Sequence, residues 1–213
     1  MGIITISRKM GSMGTRIGGK VAERLGMKYV DKEIISKIMQ EYGYSQFVKI
    51  YNEIPGFWER FDSLKIQTMN FMTRTIEAIG AHDNVVIVGR GGFEIFMNYR
   101  DVLNVRTHAD IDLRIKRKSE EYHVSLEEAK AQVEENDKIR RAFLEDNLKH
   151  SCGKTEDFDI VVNTGVVTIE RAVDLICDAY KELMAHGRNA DSKQLKDLKV
   201  DPILKEYVSK LID

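Results

Sequence analysis

The sequence lacks several features that mark membrane, secreted and metal-binding proteins. Its 213 residues contain no apolar run of about eighteen, so we expect no transmembrane helix. An apolar strand pattern begins at Ile3, which argues against a signal peptide. The two cysteines, Cys152 and Cys177, stand alone and form no metal or redox motif. These absences predict a cytoplasmic protein, with Cys177 as a core thiol in an apolar helical stripe.

Neither charge predominates. The chain has 33 Lys and Arg against 34 Asp and Glu, a net charge of −1, so nucleic acid is not an expected partner. The five histidines show no spacing suited to a metal site, and we find no nucleophile motif or internal repeat. The length and the 43% hydrophobic content predict a globular protein with one sizeable core, or one core and a small mobile lobe.

Short apolar runs alternate with helical patterns along the chain. The run Val85–Val88 is entirely β-branched, which is typical of a strand buried on both faces of a parallel sheet. Alternation of this kind predicts βαβ units and a doubly wound α/β sheet between helices. In such sheets ligands bind beyond the carboxyl ends of the strands. The predicted strands cover residues 3–6, 28–30, 85–88, 102–106 and 159–162.

A glycine-rich segment follows the first predicted strand and precedes a helix that we expect from Val21. Residues 7–20 read SRKMGSMGTRIGGK. Strand, glycine-rich turn and helix in this order can present backbone N–H groups to a phosphate. The usual phosphate-loop pattern, G-x-x-x-x-G-K-[ST], fits in no register without a defect. A plain turn between strand and helix is the alternative interpretation.

Two registers of that pattern can be compared. One keeps Gly14, Gly19 and Lys20 but places Val21 where a hydroxyl should bind Mg²⁺. The other places the lysine position on Gly14 and the hydroxyl position on Thr15, and we prefer it because the loop then stays close to the strand. In the second register the missing positive charge must come from Arg8, Lys9 or Arg16.

Two further residues stand at predicted strand ends. Arg90, flanked by glycines, follows the buried strand, and a guanidinium there matches a phosphate in bidentate geometry. A surface arginine in a turn is the alternative. Asp31 follows the second strand, where it is expected to cap the next helix and can also contact a ligand.

Arginines also cluster on two predicted helices further along. Arg114 and Arg117 share one helix face, and Arg140 and Arg141 lie on the next helix beside Asp137. Mobile arginines stabilise the charge that spreads over a moving phosphoryl group. The alternative is a solvated face with i,i+4 pairs such as Asp137–Arg141.

Together these segments resemble the cytidylate kinase-like branch of the P-loop nucleoside monophosphate kinases. The similarity runs from about Ile3 to Ile176, and in chain order its segments read ITISR, GS, G, IG, AE, YVDKE, VIVGRG, DK and DIVVNT. The resemblance implies a three-layer P-loop kinase fold, a five-stranded parallel sheet flanked by helices. It also implies a single domain over residues 1–188, with a helical substrate-binding insert at 43–80 and a lid region at 110–150.

The resemblance further implies a small-molecule kinase with ATP as donor, Mg²⁺ as cofactor and a pyrimidine monophosphate, typically cytidylate, as acceptor. Asp31 and Arg90 would bind the acceptor, and Thr15 would bind Mg²⁺. The implied donor-binding residues are Arg8, Lys9, Gly11, Ser12, Met13, Gly14 and Thr15. The implied catalytic residues are Arg16 and the lid arginines Arg114, Arg117, Arg140 and Arg141.

The sequence departs from well-characterised cytidylate kinases at two positions. Gly14 replaces the phosphate-loop lysine, which this branch of the family commonly lacks, and Gly91 replaces the carboxylate after the Gly-Arg pair. Met13 stands where the branch usually has another glycine. The alternative function is therefore a nucleotide-binding or regulatory protein that has lost phosphoryl transfer. The tail over 189–213 is expected to be helical and is a candidate for self-association into a homo-oligomer.

Overall fold

Five parallel strands form the centre of the protein. The structure, a computed structural model, describes residues 2–45, 47, 62–148, 154–188 and 192–213. The strands lie side by side in the order β2-β3-β1-β4-β5, and every neighbouring pair is parallel. This confirms the α/β class and the five-stranded parallel sheet. The strands are β1 (Ile3–Arg8), β2 (Lys28–Val30), β3 (Val85–Val88), β4 (Val102–His108) and β5 (Ile160–Asn163).

Strand β1 lies at the middle of the sheet because its side chains are apolar on both faces. Ile4 pairs with Val86 of β3 on one side and with Leu103 of β4 on the other. Ile3, Ile4 and Ile6 are fully or almost fully buried. The carboxyl end of β1 therefore emerges between β3 and β4, which is where a doubly wound sheet places its ligand.

Helices cover both faces of the sheet. One face packs against α2, α3 and α8, and the other packs against α1 and α7. Helices α5 and α6 form a pair beyond the carboxyl edge, at the position expected for a lid. The helices are α1 (Gly14–Leu25), α2 (Lys32–Glu41), α3 (Ser63–Gly80), α4 (Gly92–Ile95), α5 (Ile111–Tyr122), α6 (Leu126–Asn147), α7 (Ile169–His186) and α8 (Pro202–Ile212).

Helix α1 begins seven residues earlier than the sequence pattern indicated. The expected start at Val21 was wrong, because Gly14 is already the first helical residue and Ile17 and Val21 both contribute to the core. The glycines at 18 and 19 had suggested a loop, yet Gly18 lies where a Cβ would be 2.7 Å from Val88. Glycine at 18 thus allows α1 to lie close against the sheet.

Other boundaries differ by a few residues. Strand β4 continues two residues beyond the predicted end at Arg106, and β5 runs one residue later than predicted. The short helix α4 was not predicted. Helix α3, in the predicted insert over 43–80, is described from Ser63, and residues 48–61 of that insert lie outside the described ranges.

The tail packs on its own chain. Asp201 caps α8, and Leu204, Val208 and Ile212 are buried in the core beside α2 and α3. Self-association through this tail stays a prediction, and the apolar face of α8 is already covered by the same chain. Within the described ranges, no helix is long and apolar enough to cross a membrane.

Candidate functional site

The β1–α1 loop, residues 9–13, turns tightly through two left-handed residues. Gly11 has φ +75° and Met13, the N-cap of α1, has φ +60°. The left-handed conformation costs a non-glycine residue about 1–2 kcal/mol, so the fold holds Met13 against its own preference. The first N–H groups of α1 have no partner within the helix and face the ligand edge of the sheet.

The helix start identifies the register of the loop. Thr15, exposed in the first turn of α1, stands at the hydroxyl position, and Gly14 stands at the lysine position. The competing register is wrong, because Gly19 and Lys20 lie inside α1. Lys20 points away from the site and pairs with Glu170 at 3.3 Å.

Ser12 anchors the loop to the sheet. Its buried hydroxyl donates to the Lys9 carbonyl at 2.7 Å and lies 2.9 Å from the Thr107 hydroxyl. The Ser12 N–H donates to the same carbonyl at 3.2 Å, and the predicted contact of Ser12 with a donor phosphate stays a prediction. The hydroxyl holds the loop in shape.

Three arginines from α5 and α6 bind backbone carbonyls of this loop and of the strand end before it. Arg114 donates to the Met10 carbonyl and Arg117 to the Gly11 carbonyl, each at 3.2 Å. Arg140 donates to the carbonyl of Arg8. We call these contacts the arginine clamp. The sequence predicted these arginines near the site but not that they grip the backbone.

Arg114 is the buried centre of the clamp. It is 3% exposed and forms a bidentate pair with Asp137, at 3.1 and 2.9 Å. Asp137 thus pairs across the two helices, and the alternative i,i+4 pair with Arg141 is wrong. Arg117 is held as well, since it donates to the hydroxyl and carbonyl of Thr164 at 3.0 and 2.7 Å.

The Gly89-Arg90-Gly91 turn takes three left-handed residues in succession, with φ +83°, +54° and +71°. Arg90 is 4% exposed, and its guanidinium carbon lies 5.4 Å from the centre of the Phe47 ring. A Cβ at Gly89 would overlap the Arg8 guanidinium, and one at Gly91 would overlap Leu148. The glycines therefore make room for neighbouring side chains of the site, and Arg90 is not a solvated turn residue.

Two cavities open at the carboxyl edge of the sheet. The loop cavity, of about 370 Å³, is lined by the β1–α1 loop, the start of α1, Asp31 and α5. The arginine cavity, of about 160 Å³, is lined by the ends of β1 and β4, the turn at residues 89–91, Phe93 and α6. Four basic residues line both cavities and form the wall between them: Arg8, Lys9, Arg90 and Arg140.

The loop cavity is also lined by predicted metal-binding, catalytic and acceptor residues. Thr15 and Arg16 are exposed in it, and Asp31 caps α2 by accepting from the Glu33 N–H at 2.8 Å. This confirms the predicted cap. Asp31 borders the loop cavity together with Arg90, so the two predicted acceptor residues share that space.

Lys118 also lines the loop cavity and was not predicted. Its Nζ donates to Glu121 at 2.8 Å and to the Tyr122 hydroxyl at 3.0 Å, and lies 4.2 Å from the centre of the Tyr122 ring. Burial lowers the pKa of Lys118, but the hydrogen bonds to Glu121 and Tyr122 outweigh it and leave the pKa raised. The signal was the spacing of Lys118 four residues after Arg114, on the same helix face.

Arg106 and Phe93 line the arginine cavity and were not predicted either. Arg106 lies near the end of β4, and its guanidinium carbon is 5.3 Å from the centre of the Phe158 ring. Like Arg90, Arg106 is a guanidinium at the ligand edge of the sheet, and its place at the end of the predicted strand over 102–106 was the sequence signal for it. Arg141, which was predicted, is exposed at the rim of the same cavity.

The donor set fits a nucleotide phosphate chain better than a resident metal site. The free N–H groups of α1, the exposed Thr15 hydroxyl and the basic wall suit phosphate oxygens. Among the described residues no three His, Cys, Asp or Glu side chains group to hold a metal ion. Thr15 suits Mg²⁺ in the way this ion usually binds, through few protein oxygens, water and substrate phosphates.

Comparisons with known proteins point in one direction for most of the chain. The model of the cytidylate kinase-like family matches residues 3–166. A cytidylate kinase from Sulfolobus acidocaldarius is 24% identical over 184 residues, which cover 86% of this chain and 97% of that protein. A solved structure of an uncharacterized protein from Eubacterium ventriosum superposes with a TM-score of 0.66 at 23% identity, covering 85% of this chain and 99% of that one. This last likeness concerns the fold.

One further match is local. A uronate isomerase from Corynebacterium glutamicum is 30% identical over 100 residues, which are 46% of this chain and 19% of that protein. The chain thus spans about a fifth of the isomerase, whereas it spans nearly the full length of the archaeal kinase.

Proposed function

Because this chain belongs to the cytidylate kinase-like family, we propose that it transfers the γ-phosphoryl group of ATP to a nucleoside monophosphate, cytidylate-like, or to a related small acceptor. The observation that carries this proposal is the shared wall of Arg8, Lys9, Arg90 and Arg140 between the two cavities. A phosphoryl group that moves from a donor in one cavity to an acceptor in the other meets this positive charge throughout its path.

The donor occupies the loop cavity in this proposal. Its phosphates accept hydrogen bonds from the N–H groups at the start of α1 and from the backbone of the β1–α1 loop. The Thr15 hydroxyl would hold Mg²⁺, which neutralises charge on the donor phosphates when bound. Arg8 and Lys9, at the wall, replace the positive charge of the missing loop lysine, and the exposed Arg16 contributes from the first turn of α1.

The lid arginines divide into two roles. Arg140 lines both cavities and Arg141 lines the arginine cavity, so both are placed to touch the reacting phosphates or the acceptor, and Arg140 in addition holds the Arg8 carbonyl. Arg114 and Arg117 act instead as positioning residues, since their guanidinium groups hold the loop backbone and Asp137 or Thr164. Closure of α5 and α6 over the donor would exclude water, as lids do in this chemistry.

The acceptor lies in the arginine cavity against Arg90. The side chain is preset for this role because Phe47 and the three left-handed residues of its turn fix its direction. Asp31 lines the loop cavity together with Arg90. In this proposal it contacts the end of the acceptor that lies at the wall between the two cavities. The alternative of binding without transfer has less support, because the wall supplies charge at the position where transfer needs it.

A coupled assay for ADP formation tests the proposal. The protein is incubated with ATP, Mg²⁺ and a panel of nucleoside monophosphates and nucleosides, and we expect ADP above the background without acceptor for at least one of them. Arg90→Met should lose this activity, and Arg171→Met, an exposed arginine on α7, should keep it. If nucleotides bind but no member of the panel is phosphorylated, the kinase proposal is rejected in favour of a nucleotide-binding protein without phosphoryl transfer.

A further inference from the structure

The arginine cavity carries much more positive charge than a single phosphate needs. Its only carboxylate among the described residues is Asp137, which is already bound by Arg114 in bidentate geometry. A cavity lined by so much charge of one sign favours a ligand of high opposite charge. The basic residues that line it are Arg8, Lys9, Arg90, Arg106, Arg140 and Arg141.

These side chains fall into two groups by position. Four belong to the wall and face both cavities, so they serve the phosphoryl group that moves between donor and acceptor. Arg106 and Arg141 line the arginine cavity alone. Arg106 sits deeper, because it is half-buried on β4, opposite Ser7 of β1 and Val161 of β5, whereas Arg141 is exposed.

The surroundings of Arg106 fix its direction. Its guanidinium packs over the Phe158 ring, and that ring lies 4.7 Å from the ring of Phe93, which also lines the cavity. Stacking on an aromatic ring orients a guanidinium while leaving the donors at its edge available. Arg106 therefore presents N–H groups to the cavity from a rigid aromatic support.

Within the described part of the chain, no carboxylate pairs with Arg106. Asp159, just before β5, is already engaged, since it accepts from the Asn104 N–H at 2.7 Å and binds Arg188. Among the residues that the structure describes, the charge of Arg106 is thus not used in an ion pair. It remains for a ligand.

We propose that the acceptor carries a second anionic group, a phosphate or a carboxylate, and that Arg106, assisted by Arg141, is the residue that selects it. The inference rests on the proposed function in that it assigns the arginine cavity to the acceptor. The first anionic group of this acceptor lies at the wall and receives the phosphoryl group. The second lies deeper, against the Arg106 guanidinium, away from the donor.

Calorimetric binding with three acceptor probes tests this inference. The probes are a nucleoside 5′-monophosphate, the same nucleoside with phosphates on the 5′ and 3′ hydroxyls, and a monophosphate whose base carries a carboxylate, orotidine monophosphate. We expect the dissociation constant of one of the doubly anionic probes to be at least roughly tenfold lower than that of the plain monophosphate. A hydrogen bond between charged groups accounts for a difference of this size. Which one gains identifies the second group as phosphate or carboxylate.

The advantage should depend on Arg106. Arg106→Gln is expected to remove it, with the plain monophosphate and ADP bound as in the unmodified protein, and Arg106→Lys should restore part of it. Arg171→Gln, an equal charge change far from the cavity, should leave the preference intact. Retained ADP binding and an unchanged melting temperature show that the variants are folded.

The outcomes separate this inference from the kinase assignment. Equal binding of all three probes, or a preference that survives Arg106→Gln, overturns the role of Arg106 even if phosphoryl transfer is observed. If the preference depends on Arg106 but no phosphoryl transfer is observed, the doubly anionic ligand is supported and the proposed kinase activity is rejected.

Discussion

The backbone at Gly89 passes so close to the Arg8 guanidinium that no side chain fits between them. Because Gly89 has no side chain, the Arg8 guanidinium can lie against its backbone and reach the wall between the cavities. The Arg8 Nε is buried without a hydrogen-bond partner among the described residues. Sequence reasoning selected Arg8 and the glycines separately. The contact between residues 8 and 89 could not be predicted, because it depends on the order of the strands in the sheet.

Replacing Gly89 by alanine should damage the site and the fold together. The left-handed backbone costs alanine about 1–2 kcal/mol, and displacement of Arg8 adds to it. We expect a lower urea midpoint and weaker acceptor binding. Gly19→Ala is the matched control, since its Cβ would meet nothing within 4 Å inside α1. That control should be neutral or more stable by about 0.5–1 kcal/mol, so equal destabilisation by both changes would contradict the argument.

Removing the charge of Asp137 should loosen the arginine clamp. Asp137→Asn leaves the buried Arg114 guanidinium without its carboxylate, and a charged hydrogen-bonded pair is worth about 2–3 kcal/mol. Urea unfolding should show that loss, and ADP should bind more weakly because Arg114 also holds the Met10 carbonyl. Glu135→Gln, an exposed neighbour on α6, should change neither. Unaltered ADP binding in Asp137→Asn would separate the clamp from the donor site.

At the scale of elements, helix ends were predictable where a side chain caps them and not where the loop itself sets them. Asp31 caps α2 as its sequence indicated, and Ser125 caps α6 in a full capping box with Glu128. The start of α1 has no side-chain cap, because Met13 occupies that position in a left-handed conformation. Only the surrounding fold, through the arginine clamp and Ser12, selects that start.

Two glutamates, Glu77 in α3 and Glu128 in α6, should change the stability of the protein with pH in opposite directions. In α3, burial raises the pKa of Glu77, and Arg74 and Lys193 only partly oppose it. The folded state then holds the proton more tightly, so this contribution to stability is present at low pH and lost as the pH rises through the folded pKa. Glu77→Gln should be more stable than the unmodified protein at pH 7, and the difference should vanish below about pH 4.

Glu128 in the capping box of α6 provides the opposite sign. Its pKa is lowered by the Ser125 N–H and then by the Ser125 hydroxyl, so its contribution is present above the unfolded pKa and lost as the pH falls. Glu128→Gln should therefore be less stable at neutral pH, with the gap narrowing on acidification. Urea midpoints at pH 4 and pH 7 measure both changes, and parallel shifts in the two variants would contradict these assignments.

For the whole molecule, periodicity and strand-end chemistry predicted the class, the parallel sheet and the edge where the site lies. They did not predict that the edge holds two cavities or that one set of basic side chains separates them. That division depends on how α5 and α6 sit over the sheet, and this follows from long-range contacts such as that of Arg114 with the Met10 carbonyl. Arg106 differs, because it ends the predicted strand over 102–106 and the same strand-end chemistry could have identified it.

Ligand binding should stabilise the molecule as a unit. ADP with Mg²⁺ at about one hundred times its dissociation constant should add roughly 2.7 kcal/mol to the free energy of unfolding, visible as a higher melting temperature. Chelation of Mg²⁺ should reduce the shift if Thr15 holds the ion, and Thr15→Val should reproduce that reduction. A shift that is independent of both would remove Thr15 from the metal site.

The arginine clamp also bears on the order in which the chain becomes functional. Its three contacts join residues 104, 106 and 132 positions apart, so the β1–α1 loop is among the first segments made and among the last to be fixed. Closing such distant contacts is slow compared with forming a local helix. A nascent chain that ends before α5 contains every residue of the loop but lacks the arginine contacts that fix the loop conformation. Nucleotide affinity during synthesis should therefore appear only after α6 has emerged.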